Sequence, residues 1–345
     1  MSHMLTEIRQ QPDWVERAIE AERGNVARLA ATMREQDVRF VVIAARGTSD
    51  NAATYAKYLL EIVAGIPVAL AAPSVYTLYD ARLRLGNTLV LGISQSGQGT
   101  DVVQVLSSAR SAGALTACVT NNPESPITQV SDFVLACHAG EEKSVAATKT
   151  YTTSLAVVAM LAFSLADRRD LLTALEETPD RMREALAMHQ TVEEAVVRYR
   201  YMQECAVLAR GVNQPTALEA ALKMTETCYL VAKPYSGADF LHGPIAMVDS
   251  GFPCFLYAPE GRAYASMLEL ALKIRERDGE MIVIARAPEI LEMAAVGLPV
   301  PTTVDELLSP LVYILPGQMF ACCLAQVRGS DPDNPRGLTK VTLTR

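Results

Sequence analysis

Residues 88–97 read TLVLGISQSG, a short apolar run that passes at once into Ser94, Gln95, Ser96 and Gly97, with helix-forming residues from Thr100 to Ala112 beyond. A continuous apolar run of this length, closed by turn residues, is the pattern of a strand buried on both faces. Upstream, Arg39 to Ala45 is a second β-branched run; it ends in Arg46-Gly47 and is followed by a helical stretch from Asn51 to Val63 and a turn at Gly65 to Pro67. Downstream, Leu115 to Thr120 and Phe133 to Leu135 continue the alternation. The expected fold is therefore α/β, with a mostly parallel sheet flanked by helices on both faces. Ligands of such sheets sit at the carboxyl ends of the strands.

A second series repeats the first. Helical stretches from Thr150 to Leu165 and from Pro179 to Tyr199 lead to strand Cys205 to Ala209, helix Thr216 to Thr227, strand Cys254 to Tyr257, helix Ala263 to Arg277, strand Met281 to Ala285 and helix Leu307 to Val327. Ala45-Arg46-Gly47 closes the first strand of one series and Ala209-Arg210-Gly211 that of the other. A Lys and then a Glu follow on each next helix: Lys57 and Glu61, Lys223 and Glu226. Such self-similarity is the mark of an internal repeat. The expected layout is an N-terminal helical segment (1–36) whose amphipathic helix runs from Pro12 to Gln36, a first domain (37–170), a helical connector (171–199), a second domain (200–328) and a C-terminal tail (329–345).

Composition bounds the function. The chain has 345 residues, 50% apolar and 20% charged, which suits about two globular domains. A formal charge of −8 offers no basic footprint for nucleic acid and disfavours anionic membranes, so an anionic ligand must be caught locally. The seven cysteines lie mostly in apolar runs without a CxxC pair or a zinc-spaced His, so reduced core residues and no metal are expected. The longest apolar run read from the sequence, Leu155 to Ala166, is too short to span a bilayer, and no stretch has the pattern of a signal peptide. Neither nucleic acid nor membrane is an expected partner, and the cytoplasm is the expected location.

Ser94-Gln95-Ser96-Gly97 at a helix start offers hydroxyls, N–H groups and a favourable dipole to an anion such as phosphate, though it lacks the Lys of a nucleotide P-loop. Helix capping by serine is the plain alternative. Gly47-Thr48-Ser49 repeats the arrangement after the neighbouring strand. Glu219, Lys223 and Glu226 share one helix face by their spacing; a carboxylate beside a lysine in a cleft can move protons, while a solvated ion pair is the commoner reading of such a triplet. His242, in a loop before Gly243-Pro244, is a candidate acid or base with a structural role as its alternative. The tail from Gly329 to Thr339 carries two or more prolines with Asp331, Asp333, Asn334 and Arg336, as if built to follow one path, and is followed by Lys340 and a short strand-like stretch.

Taken together, Ser94 to Gly97, Ala146-Ala147-Thr148-Lys149, Ala217 to Lys223, His242-Gly243-Pro244 and Asp333 to Lys340 resemble the sugar isomerase (SIS) domain family. More narrowly they are similar to the isomerase portion of glucosamine-6-phosphate synthase and its stand-alone relatives, over about Arg39 to Arg345. The resemblance implies two tandem SIS domains. It implies that Gly47, Thr48, Ser49, Ser94, Gln95, Ser96 and Gly97 hold a sugar phosphate and that the backbone near Val145 and Ala147 lines the sugar. Glu226 would then shuttle the proton between C1 and C2, with Glu219 and Lys223 supporting it. His242 would help open the sugar ring, reaching the site of a neighbouring subunit in a homodimer, and Lys340 would sit at the substrate carbonyl, where a lysine can form an imine. No organic cofactor is implied. Two positions depart from the family pattern: Gly99 stands where a phosphate-binding Thr is expected, with Thr100 next, and Ala147 stands where a Ser is expected.

The synthase draws ammonia from a glutaminase domain with an N-terminal Cys, whereas the first cysteine here is Cys118. The expected reaction is therefore the deamination of glucosamine 6-phosphate to fructose 6-phosphate and ammonia. A fructosamine-6-phosphate deglycase, a galactosamine-6-phosphate deaminase and an ammonia-using synthase would share the same residues. A non-catalytic sugar-phosphate sensor is the alternative of another class.

Overall fold

The computed structural model describes residues 2–340; the strand-like stretch expected after Lys340 falls at 341–345, outside the described residues. The elements run α1 (His3–Glu35), β1 (Phe40–Ala44), α2 (Thr48–Val63), β2 (Val68–Leu70), α3 (Ser74–Thr77), β3 (Thr88–Ile93), α4 (Thr100–Ser111), β4 (Leu115–Thr120), α5 (Pro126–Gln129), β5 (Phe133–Ala136) and α6 (Lys149–Leu165). They continue with α7 (Arg169–Leu186), α8 (His189–Val196), β6 (Glu204–Ala209), α9 (Gln214–Cys228), β7 (Val231–Ser236), α10 (Gly237–Leu241), β8 (Pro253–Ala258), α11 (Tyr264–Arg275), β9 (Glu280–Ala285), α12 (Pro288–Leu291), β10 (Val296–Pro299) and α13 (Ser309–Val327).

The chain forms two compact units, and their boundaries interleave. One unit comprises Asp13–Glu142, Lys149–Glu177 and the residues from Thr339; the other comprises Met1–Pro12, Lys143–Thr148 and Thr178–Leu338. The first holds a five-stranded sheet in the order β2-β1-β3-β4-β5, and the second a five-stranded sheet in the order β10-β9-β8-β6-β7. Every pairing in both sheets is parallel. Read from its other end, the second sheet follows the same path as the first, so each unit is an α/β layer of one topology.

The central strands are buried throughout. All six residues of β3 and all six of β4 are buried, as expected for strands with helices on both faces. The β1–β5 core gathers Val90, Val105, Leu106, Cys118 and Ile127, and the β6–β10 core gathers Leu208, Leu256, Leu270, Ile274 and Val283. The connecting strands that the sequence did not reveal, β2, β7 and β10, are all edge strands. β7 carries Pro234 and β10 carries Pro299, which only an edge position tolerates well because Pro cannot donate to a ladder.

Two helices begin earlier than their prolines suggest. The sequence places helix starts at Pro12 and Pro179, yet both prolines lie inside helices, in α1 and α7. The stretch read as one helix to Tyr199 is α7 followed by α8. The longest apolar helix is also not the one expected: within the 22 residues Glu306–Val327 an 18-residue stretch has mean hydropathy 1.7 and satisfies the length and composition of a membrane span, but 94% of that stretch is buried within the protein. This is the placement of a core helix, apolar on all sides because it is surrounded.

α13 lies on α8 and α9 in the β6–β10 unit. Its Phe320, 1% exposed, meets the Phe255 ring edge-on at 4.8 Å and the Tyr199 ring at 5.8 Å. Truncating such an aromatic leaves a cavity with lost contacts on every side, at a cost of about 3–5 kcal/mol. Phe320→Ala is therefore expected to lower the free energy of unfolding, read from denaturant titration, by that amount; a change under about 1 kcal/mol would show that α13 does not anchor its unit.

Candidate active site

In the β1–β5 unit, β1 and β3 are neighbours, with Ala44 paired to Gly92, while β2 and β4 leave in opposite directions from them. This is the switch point of the sheet, where the turns after the two strands diverge and leave a crevice. The turn after β1 is Arg46-Gly47-Thr48-Ser49 and the turn after β3 is Ser94 to Gly99. Both helices that follow start without a side-chain cap: the residue before α2 is Gly47 (φ 56°) and the residue before α4 is Gly99. Thr48 and Ser49 are half-buried, as are Ser94, Gln95 and Ser96.

The Ser94–Gly97 turn is held by its own groups. Ser94 N–H donates to Val119 O at 3.0 Å, Gly97 N–H meets Ser94 Oγ at 3.1 Å, and Gln98 N–H meets Ser96 Oγ at 3.3 Å. Asn121 N–H donates to Gln95 O at 3.0 Å. Gly97 has φ 64°, and a Cβ there would fall 1.9 Å from Ser125 Oγ, so only glycine permits this path. Thr100 is the exposed first residue of α4.

Sequence reasoning missed the charge beside these turns. Arg46 donates from Nε to the buried Asp101 carboxylate at 2.7 Å, and Asp101 also accepts the N–H of Val102 at 2.8 Å. The guanidinium remains 56% exposed while Asp101 is 2% exposed, so a fixed cation stands at the crevice. Burial raises the carboxyl pKa of Asp50, on the first turn of α2, and Arg46 opposes that shift.

In the β6–β10 unit, Glu219, Lys223 and Glu226 share one face of α9. Lys223 Nζ lies 2.6 Å from Glu226 Oε2 and 3.4 Å from Glu219 Oε1. The solvated pair is not what forms: the side chains of Lys223 and Glu219 are 1% and 0% exposed, and only Glu226, at 23%, reaches the surface. Burial alone would lower the Lys223 pKa, but the two carboxylates outweigh it and hold it above the ordinary value. Lys223 is thus a permanent buried cation, and Glu226 is the accessible end of the triad.

Val145 and Ala147 lie in the short segment Lys143–Thr148 of the same unit. The Glu7 carboxylate accepts the N–H groups of Lys143 and Ser144, and Val145 N–H donates to Asp333 O at 3.1 Å. Asp333 in turn accepts the N–H groups of His3 and Met4 at 2.7 Å each, a carboxylate at the start of α1 as the helix dipole favours. The tail is ordered along this path: Arg336 stacks on Tyr229 at 4.0 Å and its N–H donates to Tyr229 Oη at 3.0 Å, at the C-terminal end of α9.

The remaining two residues stand apart. His242 ends α10 and is exposed, its N–H donating to Asp239 O at 3.1 Å. Lys340, in the β1–β5 unit, donates to Glu142 Oε2 at 2.9 Å; that carboxylate is buried and also accepts from Thr150. Glu142 was not visible as a partner because 198 residues separate it from Lys340. An apolar cavity of about 540 Å³ in the β1–β5 unit, lined by Val42, Leu70, Val75, Tyr76 and Leu85 among others, contains none of these residues.

Each unit is a parallel α/β layer of one topology, and the SIS domain model matches residues 36–164 and 203–327. The chain belongs to the SIS domain family. The glutamine–fructose-6-phosphate aminotransferase (isomerizing) of Thermococcus kodakarensis is 34% identical over 346 residues, covering 98% of this chain and 57% of that protein. The chain thus spans little more than half the length of the curated relatives it matches. A Silicibacter pomeroyi protein assigned as a phosphosugar isomerase superposes with a TM-score of 0.85 at 36% identity, over 96% of this chain and 100% of that one. The C-terminal domain of glucosamine-fructose-6-phosphate aminotransferase from Francisella tularensis gives a TM-score of 0.85 at 25% identity, over 97% and 98%.

The triad carries a stability prediction. Removing the cation leaves the buried Glu219 and the partly exposed Glu226 without their shared counterion, so Lys223→Met is expected to cost about 3–5 kcal/mol in denaturant unfolding. The wild-type contribution is complete below the ordinary lysine pKa of 10.5 and is lost as pH rises through the raised folded value. Unfolding monitored from pH 9 upward should therefore show a step present in wild type and absent in Lys223→Met; matching profiles would contradict the assignment.

Proposed function

We propose that this chain is a sugar-phosphate isomerase of SIS type whose substrate is an amino-sugar phosphate, converting glucosamine 6-phosphate and water to fructose 6-phosphate and ammonia. The observation that carries this reading is Glu226: a carboxylate at the protein surface, ion-paired to a lysine that is itself fully buried and locked as a cation. Such a group is placed to take a proton next to a carbonyl and return it one carbon away.

In this reading the phosphate is held at Ser49, Ser94, Gln95, Ser96 and the N–H groups and hydroxyl around Thr100, with Gly47, Thr48 and Gly97 shaping the turns and Arg46 adding positive charge. His242, from a second copy in a homodimer, assists opening of the sugar ring, and Val145 and Ala147 line the sugar. Glu226 removes the proton at C2 of the open-chain aldose and delivers it to C1, leaving an imine at C2. Addition of water there and loss of ammonia gives the ketose. Lys340 serves at the same carbon, where its amine can exchange with the departing nitrogen and then be released by water.

The deaminating direction is supported by the state of the cysteines. All seven are buried; burial pushes the thiols of Cys118, Cys228 and Cys322 up to about 11, those of Cys137, Cys254 and Cys323 up to about 12, and that of Cys205 further still. None is a thiolate poised to hydrolyse a glutamine amide.

Purified protein given glucosamine 6-phosphate is expected to release ammonia, and Glu226→Gln is expected to reduce kcat by about 10²–10⁴ with KM little changed. Near-normal turnover by Glu226→Gln would refute the proton-transfer role. Turnover of galactosamine 6-phosphate or fructoselysine 6-phosphate instead would keep the chemistry and change the substrate. Tight sugar-phosphate binding without turnover would favour a sensor.

A further inference from the structure

We propose that Glu306 is a resident anion that closes the switch-point crevice of the β6–β10 unit, so that the chain offers one phosphate seat and not two. The inference rests on the reading of the β1–β5 switch point as the phosphate seat, and it explains why two units of one topology would not bind two ligands.

The two crevices correspond strand for strand. β6 and β8 are neighbours as β1 and β3 are, and the turn Arg210-Gly211-Val212-Asn213 stands where Arg46-Gly47-Thr48-Ser49 stands in the other unit, with Gly211 at φ 62° against 56° for Gly47. After β8 the chain turns through residues 259–263 into α11, a helix of 12 residues. The N–H groups of the turn that enters such a helix are donors that a bound anion would take.

Here they are already taken. Glu306 Oε2 accepts the N–H of Arg262 at 2.8 Å and Glu306 Oε1 accepts that of Ala263 at 3.0 Å. One oxygen per donor is the arrangement two phosphate oxygens would adopt. Gly261, at φ 141°, makes the approach possible: a Cβ there would lie 2.4 Å from the Glu306 carboxyl carbon.

The same segment fills the other turn. Asn213 Nδ2 donates to Ser309 Oγ at 2.6 Å, and Ser309 Oγ donates to Glu306 O at 2.7 Å. Asn213 and Ser309 are 1% and 0% exposed. Asp305 accepts the N–H of Leu307 at 2.8 Å and so fixes the turn that presents the carboxylate. Residues 305–309 thus bridge both turns, and a negative side chain occupies the position of the second anion. In the β1–β5 unit the matching turns carry serine hydroxyls, with the exposed guanidinium of Arg46 beside them.

The test is a count of sites on the intact chain by equilibrium titration with inorganic phosphate and with fructose 6-phosphate. Wild type is expected to bind one equivalent and Glu306→Ala two, with a thermal midpoint of the variant that is lowered without phosphate and recovers with it. If Glu306→Ala does not fold, Glu306→Ser, which removes the carboxylate but keeps a polar side chain, is titrated with the same expectation. Equal counts in wild type and variant would overturn the inference. Wild type at zero and variant at one would leave Glu306 in its role and overturn the phosphate reading of the β1–β5 turns.

Discussion

Backbone N–H groups at the start of a helix have no partner within it, and a parallel sheet with a switch point aims two such helix starts at one crevice. The architecture depends on how those donors are satisfied. In the β1–β5 unit the turns supply serine hydroxyls, glycine backbone and a fixed Arg46, and the helices begin uncapped at Gly47 and Gly99. In the β6–β10 unit the N–H groups of Arg262 and Ala263, in the turn just before α11, meet Glu306. In the proposed reading, two copies of one fold differ in whether the crevice is offered to a ligand or filled from within.

The second unit turns instead to the body of its first helix. A lysine enclosed in protein is unfavourable by itself, and Lys223 is tolerated because Glu219 and Glu226 enclose it with two opposite charges. The arrangement contributes little net stability relative to an apolar trio, so its cost is consistent with a role for Glu226 at the surface. A buried ammonium fixes where that carboxylate stands. The tail reinforces the same end of α9 through Arg336 on Tyr229.

Much of this was legible in the sequence because it is local. β3, β4, β6, β8 and β9 announce themselves as uninterrupted apolar runs, and the repeat of Ala-Arg-Gly after β1 and β6 anticipates two sheets of one topology. The edge strands β2, β7 and β10 were hidden because an edge need not be long or free of proline. Pro12 and Pro179 misled in the opposite sense: proline favours a helix start, but these two sit inside long helices. The turns and the α9 triplet were visible as motifs, yet the burial of Lys223 was not, since spacing alone does not distinguish a solvated face from an enclosed one. Asp101 beside Arg46, Glu142 beside Lys340 and Glu306 at the start of α11 were hidden for a simpler reason: each acts on residues tens to hundreds of positions away.

The central claim is that one crevice, at the carboxyl ends of β1 and β3, receives the phosphate of the substrate. A crystal structure of the chain with fructose 6-phosphate tests it most directly. The account predicts the phosphate within hydrogen-bond distance of the Ser94 and Ser96 hydroxyls and the N–H groups at the starts of α2 and α4, with the residues 259–263 still bonded to Glu306. A phosphate seated at residues 259–263 with Glu306 displaced, or one bound away from both crevices, would contradict it.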